Sequence, residues 1–438
     1  MALTGALLLT SAPMASADQV RDAQWPLTVY DAEKVWKTSQ GAGVTVAVID
    51  SGVDASHPDL TGQVLAGKDF TSAGDPHKDD DGHGTGMASL IAGHGHGMNN
   101  SSGVMGLAPK AKILPVRTGQ NGDKLVTEDW VAGVRYATDQ GAKVINLSLN
   151  DSTAYPGSKA AKAIAYAQSK DVVVVAGAGN DAGNVNYPAA LPGVVAVSAV
   201  DQGLNFWTKS NTGNVTVAAP GVETPQADPT SSSGYVVANG TSGSTAYVSA
   251  IVALLRSKYP DLTAGQIINR LIKSASFLQN EGKTAPDKEL GYGIARPGTA
   301  MTMNIPKGPK GNPLIKGSSS TSTNSAAGSD DNDSTSQAAK KKKKSSSGSL
   351  LLIVGIAAAV LVIGGILFAV LRSRRNGGNG GPGSGGGTPA HGTGYPPQPP
   401  TGYQQYPNTA PNQGYPAPPG QSPQHPNPYA QQPPHQGQ

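Results

Sequence analysis

The 438-residue chain contains no cysteine. That excludes disulfides and thiolate metal sites, although a domain of this size needs no staples, so the compartment stays open. Aromatic residues are scarce, at 5%, and charged residues make up only 14%. The net charge of +4 is small, and the basic residues form no stripe, which argues against nucleic acid as a partner. Residues 376–438 have no Asp, Glu, Lys or Arg at all. That segment is Gly-rich, then rich in Pro, Gln and Tyr, with loose repeats at Gly394-Tyr395, Gly402-Tyr403 and Gly414-Tyr415. It reads as a disordered, partly polyproline tail, passive or carrying weak multivalent tyrosine contacts.

Composition divides the rest. Residues 1–9 are largely apolar and lead to Ala15-Ser16-Ala17, the pattern of a secretory signal and its cleavage site. Residues 1–17 are therefore expected to be a signal peptide; no Lys or Arg precedes the apolar run, as in a signal whose basic n-region has been truncated. Residues 18–36 read as an N-terminal arm and 37–306 as a globular domain. Residues 307–349 are rich in Ser, Thr, Asn and Lys and read as a disordered stalk. Residues 350–371 are 22 uncharged apolar positions. At 1.5 Å per residue they span about 33 Å, enough to cross the hydrocarbon core as a helix.

Lys340 to Lys344 precede that span, and Arg372, Arg374 and Arg375 follow it. Charge alone weakly favours the lysines inside. The leader argues that the domain is exported and the arginines stop transfer. A single-pass protein of the cell membrane is expected, with its domain extracytoplasmic and its tail cytoplasmic.

Within the globular part, residues 44–49, 113–116, 144–149, 172–176 and 194–199 are short, β-branched, nearly continuous apolar runs. Such runs suit parallel strands covered on both faces. Helical patterns at 127–140 and 158–170 lie between them. The expected fold is α/β, a doubly wound and mostly parallel sheet with helices on both faces. Two further helices follow. One opens at Thr241 with Val248, Ile251, Val252 and Leu255 as its apolar face, and the other covers 263–275. Ligands of such sheets bind outside the carboxyl ends of the strands.

Three segments carry chemistry: VAVIDSGVD around Asp50, DGHGTGMAS around His83 and NGTSGSTAYVS around Ser242. Asp50 alone would be a strand-end turn residue, His83 a loop histidine and Ser242 a helix N-cap. Together they supply what nucleophilic acyl transfer needs: a hydroxyl, a base to take its proton and a carboxylate to orient the base.

With GLAPKAKILPVR, VINLSLN, VVVVAGAGND and GYGIARP added, the chain resembles the subtilisin-like serine peptidases (subtilases) from about Lys37 to Ala295. Leader, arm, domain, stalk, span and tail together resemble the mycosins, the membrane-anchored subtilases associated with type VII secretion. The resemblance implies Ser242 as nucleophile, His83 as general base and then acid, and Asp50 as its orienter. It implies Asn180, otherwise a turn residue, as an oxyanion donor beside the Ser242 backbone N–H. Ser148, Leu149 and Asn150 would form one wall of the S1 pocket, and Gly177, Ala178 and Gly179 the other. Both would pair with a protein or peptide substrate.

The chain departs from the family pattern in several places. Gly86-Met87 stands where His-Val is common, and Asn150 where Gly is usual. Gly243-Ser244-Thr245-Ala246-Tyr247 replaces the common Met-Ala-x-Pro-His, so packing behind Ser242 must differ. Only about 30 residues separate the expected cleavage site from Asp50, so no folding propeptide is expected there and residues 18–36 are expected to belong to the mature domain. Asp79-Asp80-Asp81 could hold a cation but read as a solvated acidic loop, so no metal and no cofactor is expected. Two competing roles are a structural cap or stabiliser of a secretion complex and a wall-binding surface protein.

Overall fold

The computed structural model describes residues 15–71, 74–119, 126–278, 280 and 282–315. The leader up to residue 14, the stalk beyond 315, the apolar run 350–371 and the tail lie outside the described residues. Among the described residues no helix is long and apolar enough to cross a membrane.

Helix α1 (Ala15–Asp22) begins within the Ala15-Ser16-Ala17 pattern and runs into the arm, followed by α2 (Trp25–Val29) and by α3 (Ala32–Thr38), which crosses the expected arm boundary at 36. Next come β1 (Thr45–Asp50), β2 (Lys68–Asp69) and α4 (His83–Ala92). An antiparallel pair, β3 (His94–His96) and β4 (Ser102–Met105), precedes β5 (Lys112–Arg117). Then α5 (Thr127–Asp139), β6 (Val144–Leu147), α6 (Lys159–Ser169), β7 (Val173–Gly177) and β8 (Val195–Val200) alternate. β9 (Val217–Pro220) is followed by a second antiparallel pair, β10 (Thr224–Ala227) and β11 (Tyr235–Ala238). The described chain closes with α7 (Thr241–Lys258), α8 (Ala264–Ser274) and α9 (Pro297–Thr302).

Seven strands form one sheet in the order β2-β5-β1-β6-β7-β8-β9, with every pairing parallel. Alternate residues of each strand face opposite sides. Val46, Val48, Val144, Val173 and Val175 join the core built with α4 and α7. Ala47, Ile49, Ile145, Leu147 and Val174 join the core built with α5 and α6. The apolar runs are therefore continuous because both faces are covered. From β1 the chain goes to one neighbour, β5, and returns on the other side as β6. That reversal opens a crevice at the carboxyl ends of β1 and β6. Asp50 ends β1, and Ser148 follows the end of β6.

Helix starts follow local chemistry. Ser158 Oγ accepts from Ala161 N at 3.2 Å to cap α6. Thr263 and Gln266 form a reciprocal capping box on α8. Each cap is worth about 1 kcal/mol.

The structure corrects the expected character of α7. The pattern reads it as amphipathic, yet every residue from Thr241 to Arg256 except Ser242 is buried. It packs against α4, α8, α9 and the sheet at once, which leaves it no polar face. The chain also stays on the domain past the compositional boundary at Lys307. Thr263 Oγ1 donates to Lys310 O at 2.8 Å, and Asn312 Nδ2 donates to Gly193 O at 2.8 Å.

Candidate active site

Asp50 and His83 meet at the crevice. The Asp50 carboxylate is fully buried, and Oδ1 lies 2.8 Å from His83 Nδ1. Ser51 N donates to the same oxygen at 2.8 Å. Oδ2 is buried and has no partner among the described residues. His83 opens α4, and Gly84 is what lets the helix begin so close to β1. A Cβ at Gly84 would collide with the Gly52 carbonyl and stand 3.1 Å from Asp50 Cβ.

Behind this pair lies a carboxylate that the sequence reading misassigned. Asp79 is not part of a solvated loop: it is buried, with 7% exposure. Its Oδ1 accepts from Ser51 Oγ at 2.8 Å, Gly82 N at 2.9 Å and Asp81 N at 3.2 Å. Its Oδ2 accepts from Thr85 N at 2.8 Å and Thr85 Oγ1 at 2.6 Å. Ser51 Oγ in turn accepts from Gly84 N at 2.9 Å. One buried carboxylate therefore ties the start of α4 to the residue after Asp50. Of the three aspartates, Asp80 keeps the solvated character, paired with Lys78 at 3.3 Å and Arg117 at 3.1 Å. Among the described residues no group of three His, Cys, Asp or Glu side chains could hold a metal ion.

The electrostatics at His83 oppose each other. Burial lowers its pKa, whereas the charge and hydrogen bond of Asp50 raise it, with smaller help from Asp81 and Asp79. The balance is upward, to about 9. The other histidines of the Gly/His-rich stretch are engaged elsewhere. His94 reaches Thr61 O at 2.9 Å, and His96 reaches Asp59 at 2.6 Å.

Ser242 is the second residue of α7, and α7 packs against α4. Among the described residues no hydrogen bond joins Ser242 Oγ to His83. Such contacts often close only around substrate. Asn180 is exposed at the start of α7. Its Oδ1 accepts from Thr241 N at 2.9 Å and Thr241 Oγ1 at 3.0 Å, which leaves Nδ2 without a partner among the described residues. The Ser242 carbonyl accepts from Ser148 Oγ at 3.2 Å. Ser148 Oγ accepts from Asn146 Nδ2 at 3.1 Å, and Asn146 Oδ1 accepts from Ser249 Oγ at 3.0 Å. This buried ladder fixes the start of α7 against β6.

Ala246 and Tyr247 are fully buried. Alanine retains the N–H that a proline would lack. The Tyr247 ring packs edge-on against Tyr30 of the arm, with centroids 5.9 Å apart. Both hydroxyls are buried without a partner among the described residues. The altered sequence after Ser242 is thus matched by the arm.

The two expected wall segments stand side by side, because β6 and β7 pair through Leu147 and Ala176. Leu149 and Ala178 are buried, whereas Asn150 is exposed. The sequence reading missed Ser51, Asp79, Thr85 and Asn146. The only signal for the first three was their nearness in sequence to Asp50 and His83. Nothing in the pattern marks Asn146.

Residues 41–293 match the subtilase family. Thermitase from Thermoactinomyces vulgaris is 41% identical over 230 residues, which cover 52% of this chain and 80% of thermitase. Subtilisin DY from Bacillus licheniformis is 36% identical over 245 residues, covering 55% and 86%. Among solved structures, MycP1 from Mycobacterium smegmatis superposes with a TM-score of 0.58 at 29% identity, covering 70% of this chain and 91% of MycP1. The MycP3 protease from the type VII (ESX-3) secretion system gives 0.55 at 29%, covering 68% and 91%.

Proposed function

The chain belongs to the subtilase family, and from that premise we propose that it is a membrane-anchored, extracytoplasmic serine endopeptidase working beside a type VII secretion complex. The observation that carries the chemistry is the 2.8 Å hydrogen bond from His83 to the buried Asp50, at the start of the helix against which α7, opened by Thr241 and Ser242, packs. Ser242 Oγ attacks the scissile carbonyl carbon, and its proton passes to His83 Nε2. Asp50 holds Nδ1–H and stabilises the imidazolium. The oxyanion accepts from Ser242 N–H and Asn180 Nδ2, aided by the positive end of α7. When the C–N bond breaks, His83 gives its proton to the leaving amine. Water then attacks the acyl-enzyme along the same route in reverse, regenerating Ser242.

Substrate would lie as an added strand between Ser148-Leu149-Asn150 and Gly177-Ala178-Gly179. The apolar span at 350–371 supports anchoring, and the apolar leader ending in Ala15-Ser16-Ala17 supports a domain outside, against the weak bias of the flanking charges. Accessibility of the domain, but not the tail, to added protease on intact cells tests that placement.

A fluorophosphonate probe on the purified full chain tests the chemistry. Labelling of wild type and none of Ser242→Ala is expected; equal labelling of both would overturn the assignment. A structural cap of the secretion complex is the second reading, favoured by the Tyr30–Tyr247 packing in place of the common sequence after Ser242. Under it, a Ser242→Ala strain keeps an intact complex that a deletion strain loses.

A further inference from the structure

The charges of the domain are sorted along the direction of the sheet. Its strands all run parallel, so their amino ends form one pole and their carboxyl ends the other. The carboxyl pole, where Asp50 sits, is acidic: Asp81 precedes α4, Asp151 follows β6, Asp181 follows β7 and Asp201 follows β8. The amino pole is basic. Lys110 and Lys112 stand at the start of β5, Lys143 precedes β6, and Lys170 lies between α6 and β7. Lys258 ends α7, about 24 Å from Ser242 at 1.5 Å per residue. Ser257 Oγ donates there to Ala42 O at 2.8 Å, just before β1. Lys310 is brought to the same pole by its carbonyl's bond to Thr263 and by the bond of Asn312 to Gly193, before β8.

Lys258 is half-buried and the other five lysines are exposed. Among the described residues no ion pair engages any of the six. The pole's carboxylates offset them only in part. Asp171 is paired with the buried Arg256 at 2.9 Å, Asp139 accepts from Tyr166 OH at 2.5 Å, and Asp261 is exposed. At the β9 corner Lys283 pairs with Asp287 and Glu289, and Lys288 completes a neutral group. A clear surplus of positive charge remains. The chain also leaves the domain at this pole: the described residues end at 315, just after Asn312, and residues 316–349 lead to the apolar run 350–371.

We infer that the amino pole of the domain is a membrane-facing surface that rests on anionic lipid headgroups, with the catalytic crevice opening away from the bilayer. The inference rests on the anchoring put forward above. An anionic surface attracts the lysine pole and repels the aspartate pole, so the charges orient the domain as well as hold it. Each lysine close to such a surface strengthens binding roughly fivefold. The attraction is screened over about 10 Å at 0.1 M salt.

The test uses the full chain in lipid nanodiscs of phosphatidylcholine, with or without phosphatidylglycerol. Lysines are acetylated with an N-hydroxysuccinimide ester and the rate at each is read by mass spectrometry. Lys209 is exposed, and its carbonyl accepts from Ala182 N at 2.9 Å, beyond the carboxyl end of β7, so it serves as the reference. With phosphatidylglycerol present, Lys110, Lys143, Lys170 and Lys310 are expected to react roughly fivefold more slowly relative to Lys209. Salt at about 0.5 M should restore their rates. A variant carrying Lys110→Glu, Lys143→Glu and Lys310→Glu should lose the protection at Lys170. A thermal melt shows whether it is folded, and the three glutamine substitutions serve if it is not. Rates unchanged by phosphatidylglycerol, equal protection in phosphatidylcholine alone, equal slowing of Lys209, or protection of Lys170 that survives in the variant overturns the lipid-facing pole and leaves the anchoring reading standing. A chain that does not co-elute with the discs overturns the anchoring reading and the inference with it.

Discussion

Asp79→Asn removes one charge and half of the acceptor capacity from the carboxylate beneath His83. If the amide oxygen takes the place of Oδ1, it still receives Ser51 Oγ, Gly82 N and Asp81 N. The new NH2 group then faces Thr85 N and Thr85 Oγ1. The hydroxyl can rotate and accept, but the Thr85 N–H is left buried without an acceptor. One unsatisfied buried N–H costs about 1–3 kcal/mol, and the other three bonds lose their charge assistance, so a total of about 2–4 kcal/mol is expected. For a domain of this size that is a fall in Tm of roughly 3–7 °C. The start of α4 should also loosen, lowering kcat more than it raises KM. Loss of the negative charge should move the acid limb of kcat/KM to lower pH, since Asp79 helps raise the His83 pKa. Calorimetry and a pH profile of the purified full chain measure both effects. A Tm within about 1 °C of wild type together with an unchanged pH profile would refute the reasoning.

Asp50→Asn should lower kcat by about 10⁴-fold, because the amide favours the wrong imidazole tautomer, and steady-state kinetics on a peptide substrate measures it. In the wild type, kcat/KM should climb with pH towards a midpoint near 9, where His83 becomes neutral and able to act as base. The same shift has a stability consequence. The folded pKa is raised above the unfolded value of 6.5, so the stabilisation is full below about pH 6.5 and is lost as pH rises through about 9. It amounts to about 3 kcal/mol, and the stability gap between wild type and His83→Ala in urea should shrink by about that much between pH 6 and pH 10. Tyr247→Phe removes a buried hydroxyl that has no partner, so its stability should be unchanged or raised by up to about 1 kcal/mol. A thermal melt checks this, and a clear loss would mean the hydroxyl is bonded after all.

The central strands were legible because burial on both faces leaves little but Val, Ile, Leu and Ala in the runs that became β1, β5, β6, β7 and β8. Their bounds moved by one or two residues, as at β6, which ends at Leu147 rather than Leu149. β9 escaped notice because Val217–Pro220 is small and ends in proline, and β10 because Thr224–Ala227 carries little apolar character. The surroundings of α7 were not legible either. Buried Ser244, Thr245 and Ser249 look like a polar face, yet Ser244 Oγ bonds Ala219 O, Thr245 Oγ1 bonds Thr241 O and Ser249 Oγ bonds Asn146. Of the candidate site, the three chemical side chains stood out by type, order and flanks. The supports did not: a buried aspartate such as Asp79 and a solvated one such as Asp80 are the same letter, and only tertiary contacts tell them apart.

The most direct measurement is intact-mass analysis of the full chain, acid-quenched during turnover of an activated acyl ester, followed by peptide mapping. A mass increase equal to the acyl group, mapped to Ser242 and absent from Ser242→Ala, is the predicted result. Turnover with no adduct at Ser242, or an adduct that survives in Ser242→Ala, would contradict the account.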